Sequence, residues 1–113
     1  MTKAEKFFHQ IADELPNAIE SKMFGALCIK AINGKPSAMF WKDDMIFKLN
    51  SEDEKKALRL KDARQGTHLY APDRPMKGWV LIPFIHSSKW KNLAKKSIEY
   101  VMNNTKTINP EAK

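Results

Sequence analysis

Little in this chain is suited to covalent or metal chemistry. Cys28 is the single cysteine in 113 residues, so no internal disulfide can form, and a reducing, cytoplasmic location is the expected default. The three histidines, His9, His68 and His86, lie far apart in sequence, whereas zinc takes three or four ligands; no metal and no cofactor is expected. The 4 glycines form neither a G-x-x-x-x-G-K-S/T phosphate loop nor a G-x-S-x-G nucleophile elbow. Arginine is scarce, 3 residues against 17 lysines, which suits diffuse attraction to phosphate better than bidentate reading of bases. No apolar run approaches the ~18–20 residues of a membrane span. Lys3, Glu5 and Lys6 head an amphipathic pattern rather than the apolar stretch of a signal peptide. No membrane partner is expected.

What is present is an ordinary globular composition, 42% apolar and 29% charged, in a chain long enough for one domain with its own core. The net charge of +7 is uneven. Residues 1–54 hold 7 Lys/Arg and 9 Asp/Glu, a balance of −2; residues 55–113 hold 13 and 4, a balance of +9. A solvated lysine face accounts for most such patterns, with weak, salt-sensitive nucleic-acid binding as the alternative.

The chain is organised around residues 23–49, read as three antiparallel strands. Asn33-Gly34 supplies a two-residue hairpin turn and Asp43-Asp44 a second, weaker one. The first turn places Lys30 opposite Ser37, Ile29 opposite Ala38 and Cys28 opposite Met39; the second places Trp41 opposite Ile46 and Phe40 opposite Phe47. Opposed residues share a face. Leu27, Ile29, Ala31, Pro36, Ala38, Phe40, Met45, Phe47 and Leu49 then make an apolar face for helices to cover. Ala26, Cys28, Lys30, Ser37, Met39, Trp41, Ile46 and Lys48 make a mixed, partly wet one.

Around this sheet, Thr2 to Glu5 reads as a capping box that opens a helix over residues 3–15, with Ala4, Phe7, Phe8, Ile11, Ala12 and Leu15 on one face. Residues 18–22 read as a connector. Ser51 to Glu54 is a second capping box opening a short helix over residues 52–59. Residues 67–70 read as a short strand, residues 71–75 as a turn, and residues 77–83 as an inner strand apolar on both faces. Ser87 or Ser88 caps a last helix with Trp90, Leu93, Ala94, Ser97, Ile98 and Val101 inward, closed by Asn103-Asn104. The expected fold is α+β, a two-layer antiparallel sheet covered by helices in the order α-β(3)-α-β(2)-α. Residues 1–104 are expected to form one domain and residues 105–113 a flexible tail.

No constellation points to catalysis. Mid-strand Cys28 has no neighbouring histidine to activate it and reads as a half-buried thiol. Asp43-Asp44 and Glu52-Asp53-Glu54 are explained by a turn and a helix start. The string Arg74-Pro75-Met76-Lys77-Gly78-Trp79 reads first as a stiff lead-in to a strand, and second as a recognition loop presenting Arg74 and Met76.

Four strings in this order, Met23-Phe24-Gly25, Asn33-Gly34-Lys35, Ile46-Phe47-Lys48 and Arg74-Pro75-Met76 before Gly78-Trp79, resemble the TfoX/Sxy N-terminal-domain family. The resemblance covers about residues 22–101 and implies the same two-layer α+β fold, but no catalytic residues. The family's name-giving members are regulators of DNA-uptake competence in bacteria that carry a further C-terminal helical domain. This chain reads as a stand-alone N-terminal-type domain, with Asp73 and Ala26 where glycines are common in the family.

The function expected is that of a non-enzymatic interaction or regulatory module, acting on a protein partner or as a homodimer. Its expected surface comprises Cys28, Met39, Trp41 and Ile46 on the mixed face, with Arg74 and Met76. A nucleic-acid-associated regulator using the basic second half is one alternative. A small enzyme or ligand-binding domain around Arg74, Lys77 and a histidine is the other.

Overall fold

Thr2 starts the fold by two bonds from one hydroxyl. Its Oγ1 accepts the Glu5 backbone N–H at 3.1 Å, capping helix α1 (Lys3–Glu14), and donates to Asp43 Oδ1 at 2.7 Å across the molecule. The structure is a computed structural model; it describes residues 1–68 and 71–108, and only the backbone at 68, 71–72 and 104–108. After α1 come four strands, β1 (Ala18–Met23), β2 (Ala26–Ala31), β3 (Pro36–Trp41) and β4 (Asp44–Lys48). Helix α2 (Ser51–Ala57), strands β5 (Arg64–His68) and β6 (Ala71–Ile82), a 3₁₀ segment at Phe84–Lys89 and helix α3 (Trp90–Ile108) follow. The six strands form one antiparallel sheet in the order β1-β2-β3-β4-β6-β5. The α+β antiparallel architecture is the one expected, with β6 inside the sheet as the apolar pattern at residues 77–83 required.

One strand was not foreseen. The supposed connector at residues 18–22 is β1, paired along its whole length with β2 from Ala18↔Ala31 to Met23↔Ala26. Phe24 and Gly25, at φ 55° and 80°, make the connecting two-residue turn. Met23-Phe24-Gly25 therefore closes an additional hairpin instead of opening the first strand.

The two foreseen turns differ in detail. Gly34 N–H donates to the Ala31 carbonyl and Ala31 N–H to the Lys35 carbonyl, a three-residue loop with Gly34 alone at positive φ, 86°. The extra loop residue shifts Lys30 to face Pro36, and a bulge then restores the expected Ile29↔Ala38 and Cys28↔Met39 pairs. In the next hairpin the turn residues are Lys42 and Asp43, at φ 51° and 69°, so Phe40 faces Met45 and Trp41 faces Asp44. This slip is by two residues, so every side chain keeps its expected face.

The helices cover the expected apolar face. Ile29, Ala31, Ala38, Phe40, Met45, Phe47 and Leu49 join Val80 and Ile82 of β6 in one buried cluster with Phe8 and Ile11 of α1 and Trp90, Ala94, Ile98 and Val101 of α3. Trp90 Nε1 donates to the Ile82 carbonyl at 3.1 Å, satisfying a polar group inside this layer.

The remaining boundaries moved for capping reasons. Asn50, not Ser51, caps α2 by accepting the Asp53 N–H at 2.8 Å, while the Glu54 carboxylate accepts the Gly78 N–H at 3.2 Å instead of closing a capping box. A 3₁₀ segment precedes α3 where a serine cap was expected. Helix α3 continues through Asn103-Asn104 to Ile108. Of the expected tail, residues 105–108 are thus helical and residues 109–113 lie outside the described residues. The expected turn at residues 71–75 lies within β6, and the expected strand at 67–70 begins at Arg64, with Leu69 and Tyr70 outside the described residues.

Candidate interaction surfaces

The mixed sheet face is not the open surface that composition suggested. Cys28 is 0% exposed, Met39 1% and Ile46 2%, packed with Ala26 and Leu81 in a second buried cluster rimmed by Met23, Trp41 and Trp79. Strand β5 supplies cover that the sequence did not disclose. A Cβ on buried Gly66 would lie 2.9 Å from Ile46 Cγ2 and 3.0 Å from Trp79 Cβ, so the β5 backbone rests directly on the Ile46 side chain. This close approach covers Ile46; Cys28 and Met39 are enclosed with it in the same cluster, and Trp41 stays half-buried at the rim, with Lys42 Nζ 5.7 Å from its ring centroid. Burial also pushes the Cys28 thiol above its ordinary value, the weaker pull of Lys30 acting the other way. A neutral, enclosed thiol is a poor nucleophile.

Arg74 is exposed and Met76 half-buried on β6. The string they belong to has a structural task at Gly78, which sits at φ 88°. There the Gly78 carbonyl accepts the Leu49 N–H at 2.8 Å, and Lys48 Nζ reaches over to the Lys77 carbonyl at 3.3 Å and lies 5.9 Å from the Trp79 ring centroid. Arg74 and Met76 lie in a different part of the sheet from the Cys28 cluster, since Pro75 pairs with Thr67 of β5.

His9 and His86 do not converge. His9 Nδ1 bonds Glu20 Oε1 at 2.7 Å, with Glu5 Oε2 3.4 Å from the other ring nitrogen; the Glu20 contact, then Glu5, raises its pKa above 6.5 against an opposing effect of burial. His86 Nε2 lies 2.8 Å from the Lys61 carbonyl oxygen. Among the described residues no group of three or more His, Cys, Asp or Glu stands close enough to hold a metal.

Two surfaces remain. One is a cleft of about 380 Å³ between α2 and the start of α3, with Lys56, Lys89 and Lys96 around a floor of Ala57, Leu60 and Leu93. Asp53 lies 3.4 Å from Lys96 there and offsets one of the three ammonium charges. The other is the edge of the sheet at β1. Among the described residues β2 is its one strand neighbour. Exposed apolar side chains lie at both ends of this hairpin: Ile19 (50% exposed) and Ile32 at one end, and Phe24 (56%) in the turn at the other. Sequence reasoning missed this edge because Glu20-Ser21-Lys22 is a weak strand former; the alternation of Ala18, Glu20 and Lys22 with Ile19, Ser21 and Met23 carried no clean apolar period.

Among the described residues, the fold and its surfaces define a two-layer α+β domain with a basic cleft and a sheet edge at β1 that pairs with no strand other than β2. No protein-family model matches the chain, and no curated protein or solved structure matches it. No described helix is long and apolar enough to cross a membrane.

Proposed function

We propose that this chain is a non-enzymatic interaction module that binds protein by extending its sheet at β1. One observation carries the reading: a six-residue strand stands at the sheet edge, with exposed Ile19 and Phe24 beside it. Unprotected edges template pairing with another chain, and natural proteins blunt those that have no partner. β1 has no proline and no bulge, and its edge charges are one of each sign, Glu20 and Lys22, which a partner strand can match. The resemblance to the TfoX/Sxy N-terminal-domain family, whose first string is the Met23-Phe24-Gly25 hairpin at this same edge, supports a regulatory setting for the contact. The test is capture of binding proteins, including other copies of the chain, by the wild type and by Lys22→Pro. The Lys22 N–H points away from β2, so proline there removes an edge donor while sparing the β1–β2 ladder. Loss of the captured proteins supports the reading; equal capture by both overturns it.

The cleft favours a second reading, an acidic partner such as nucleic acid held by Lys56, Lys89 and Lys96. Gel retardation at low and moderate salt tests it, because phosphate contacts by lysine weaken steeply as salt rises. Absence of retardation at low salt removes this reading.

A further inference from the structure

We infer that the partner at β1 is a second copy of this chain, paired antiparallel about a two-fold axis through Ser21. This rests on the reading of β1 as a docking edge and specifies its occupant. The hydrogen-bond phase of the strand sets the choice. Ile32 N–H donates to the Asn17 carbonyl at 3.1 Å, in register with the β1–β2 pairs. In an antiparallel ladder the closely bonded pairs alternate, so Ile19, Ser21 and Met23 spend their backbone groups on β2. The N–H and C=O groups of Ala18, Glu20 and Lys22 then face the open edge. A second β1 can bond only through these same residues.

Three central registers satisfy that phase. Glu20 against Glu20 and Lys22 against Lys22 each set like charges directly opposite, which is unfavourable. The third sets Glu20 against Lys22 twice, once on each side of the axis. It also lays Ile19 against Met23 on the opposite face, and Ala18 against Phe24 at each end. Half-exposed Ile19 and Phe24 are covered, and both charged residues are matched. The sequence Ile19-Glu20-Ser21-Lys22-Met23 is thus self-complementary when read against itself reversed, as an isologous contact requires. Ser21 meets Ser21 at the axis as a pair without backbone bonds between them.

Site-directed cross-linking reads this register. Cys28 is fully enclosed, so a cysteine placed on β1 is the accessible thiol. Under mild oxidation Ser21→Cys should form a covalent dimer, because directly opposed strand residues lie within disulfide reach. Met23→Cys alone should not, whereas Met23→Cys mixed with Ile19→Cys should. The wild type should sediment at twice 13.0 kDa. Glu20→Lys and Lys22→Glu should each weaken self-association about tenfold, and an equimolar mixture of the two should restore it as a mixed dimer. Thermal melting of each variant confirms that it is folded. Sedimentation at 13.0 kDa across all concentrations overturns the proposal, as does equal cross-linking of Ser21→Cys and Met23→Cys. If the chain is monomeric while Lys22→Pro still abolishes capture of another protein, the second copy is refuted and the docking edge stands. If Lys22→Pro changes neither, both fall.

Discussion

The Ser97 hydroxyl donates to the Ser37 carbonyl at 2.7 Å, joining α3 to β3 across 60 residues of sequence, with both residues fully buried. Ser37 is the extra residue of the β2–β3 bulge, and its own hydroxyl donates to the Ile29 carbonyl at 3.2 Å. The bulge interrupts the ladder, and Ser97 satisfies the carbonyl it leaves over.

Ser97→Ala should therefore leave a buried acceptor without its donor, at a cost of about 1–3 kcal/mol. Exposed Ser88→Ala, on the preceding segment, should stay within about 0.5 kcal/mol of wild type. Denaturant unfolding of the two variants measures the difference.

Gly66→Ala should be costly for a different reason. The new methyl would meet Ile46 Cγ2 at 2.9 Å and the Trp79 Cβ at 3.0 Å. Neither neighbour lies at the end of a long flexible chain, so β5 must lift, with a loss of about 1–3 kcal/mol.

In the wild type, Cys28 should resist a thiol reagent until the protein unfolds. Burial both shields the sulfur and keeps it protonated. Labelling should follow the unfolding transition across a denaturant series, and fast labelling without denaturant would contradict the enclosed site.

His9 gives the fold a pH dependence of definite sign. Its folded pKa is raised above 6.5, chiefly by Glu20 and then by Glu5. The stabilisation is fully present below the unfolded value and is lost as pH rises through the higher folded one. Melting temperature should fall across that window, from about pH 6 upward. His9→Gln should flatten the profile there, and so should Glu20→Gln in part.

The sheet faces were legible in the sequence because strand side chains alternate with period two. The slip of two residues at Lys42-Asp43 moved every pair in the β3–β4 hairpin and changed no face. Residues 23–49 also announced the helix-facing core from Leu27 through Leu49, except Pro36, which the bulge sets opposite Lys30. β1 was not legible, since an edge strand needs little burial and Glu20-Ser21-Lys22 carries no apolar side chain. The cover over Cys28, Met39 and Ile46 was hidden for another reason. Over Ile46 it depends on β5, 20 residues later in the chain, and its one sequence mark is Gly66, a residue without a side chain to read.

The two borders of the sheet are unequal. β5 loses its regular register at two places and rests on Ile46, so it offers no straight ladder for another strand. Among the described residues, β1 is the border with a regular ladder to extend. Pairing through β1 of both copies, as inferred above, consumes that edge in each, so such an assembly is complete at two chains.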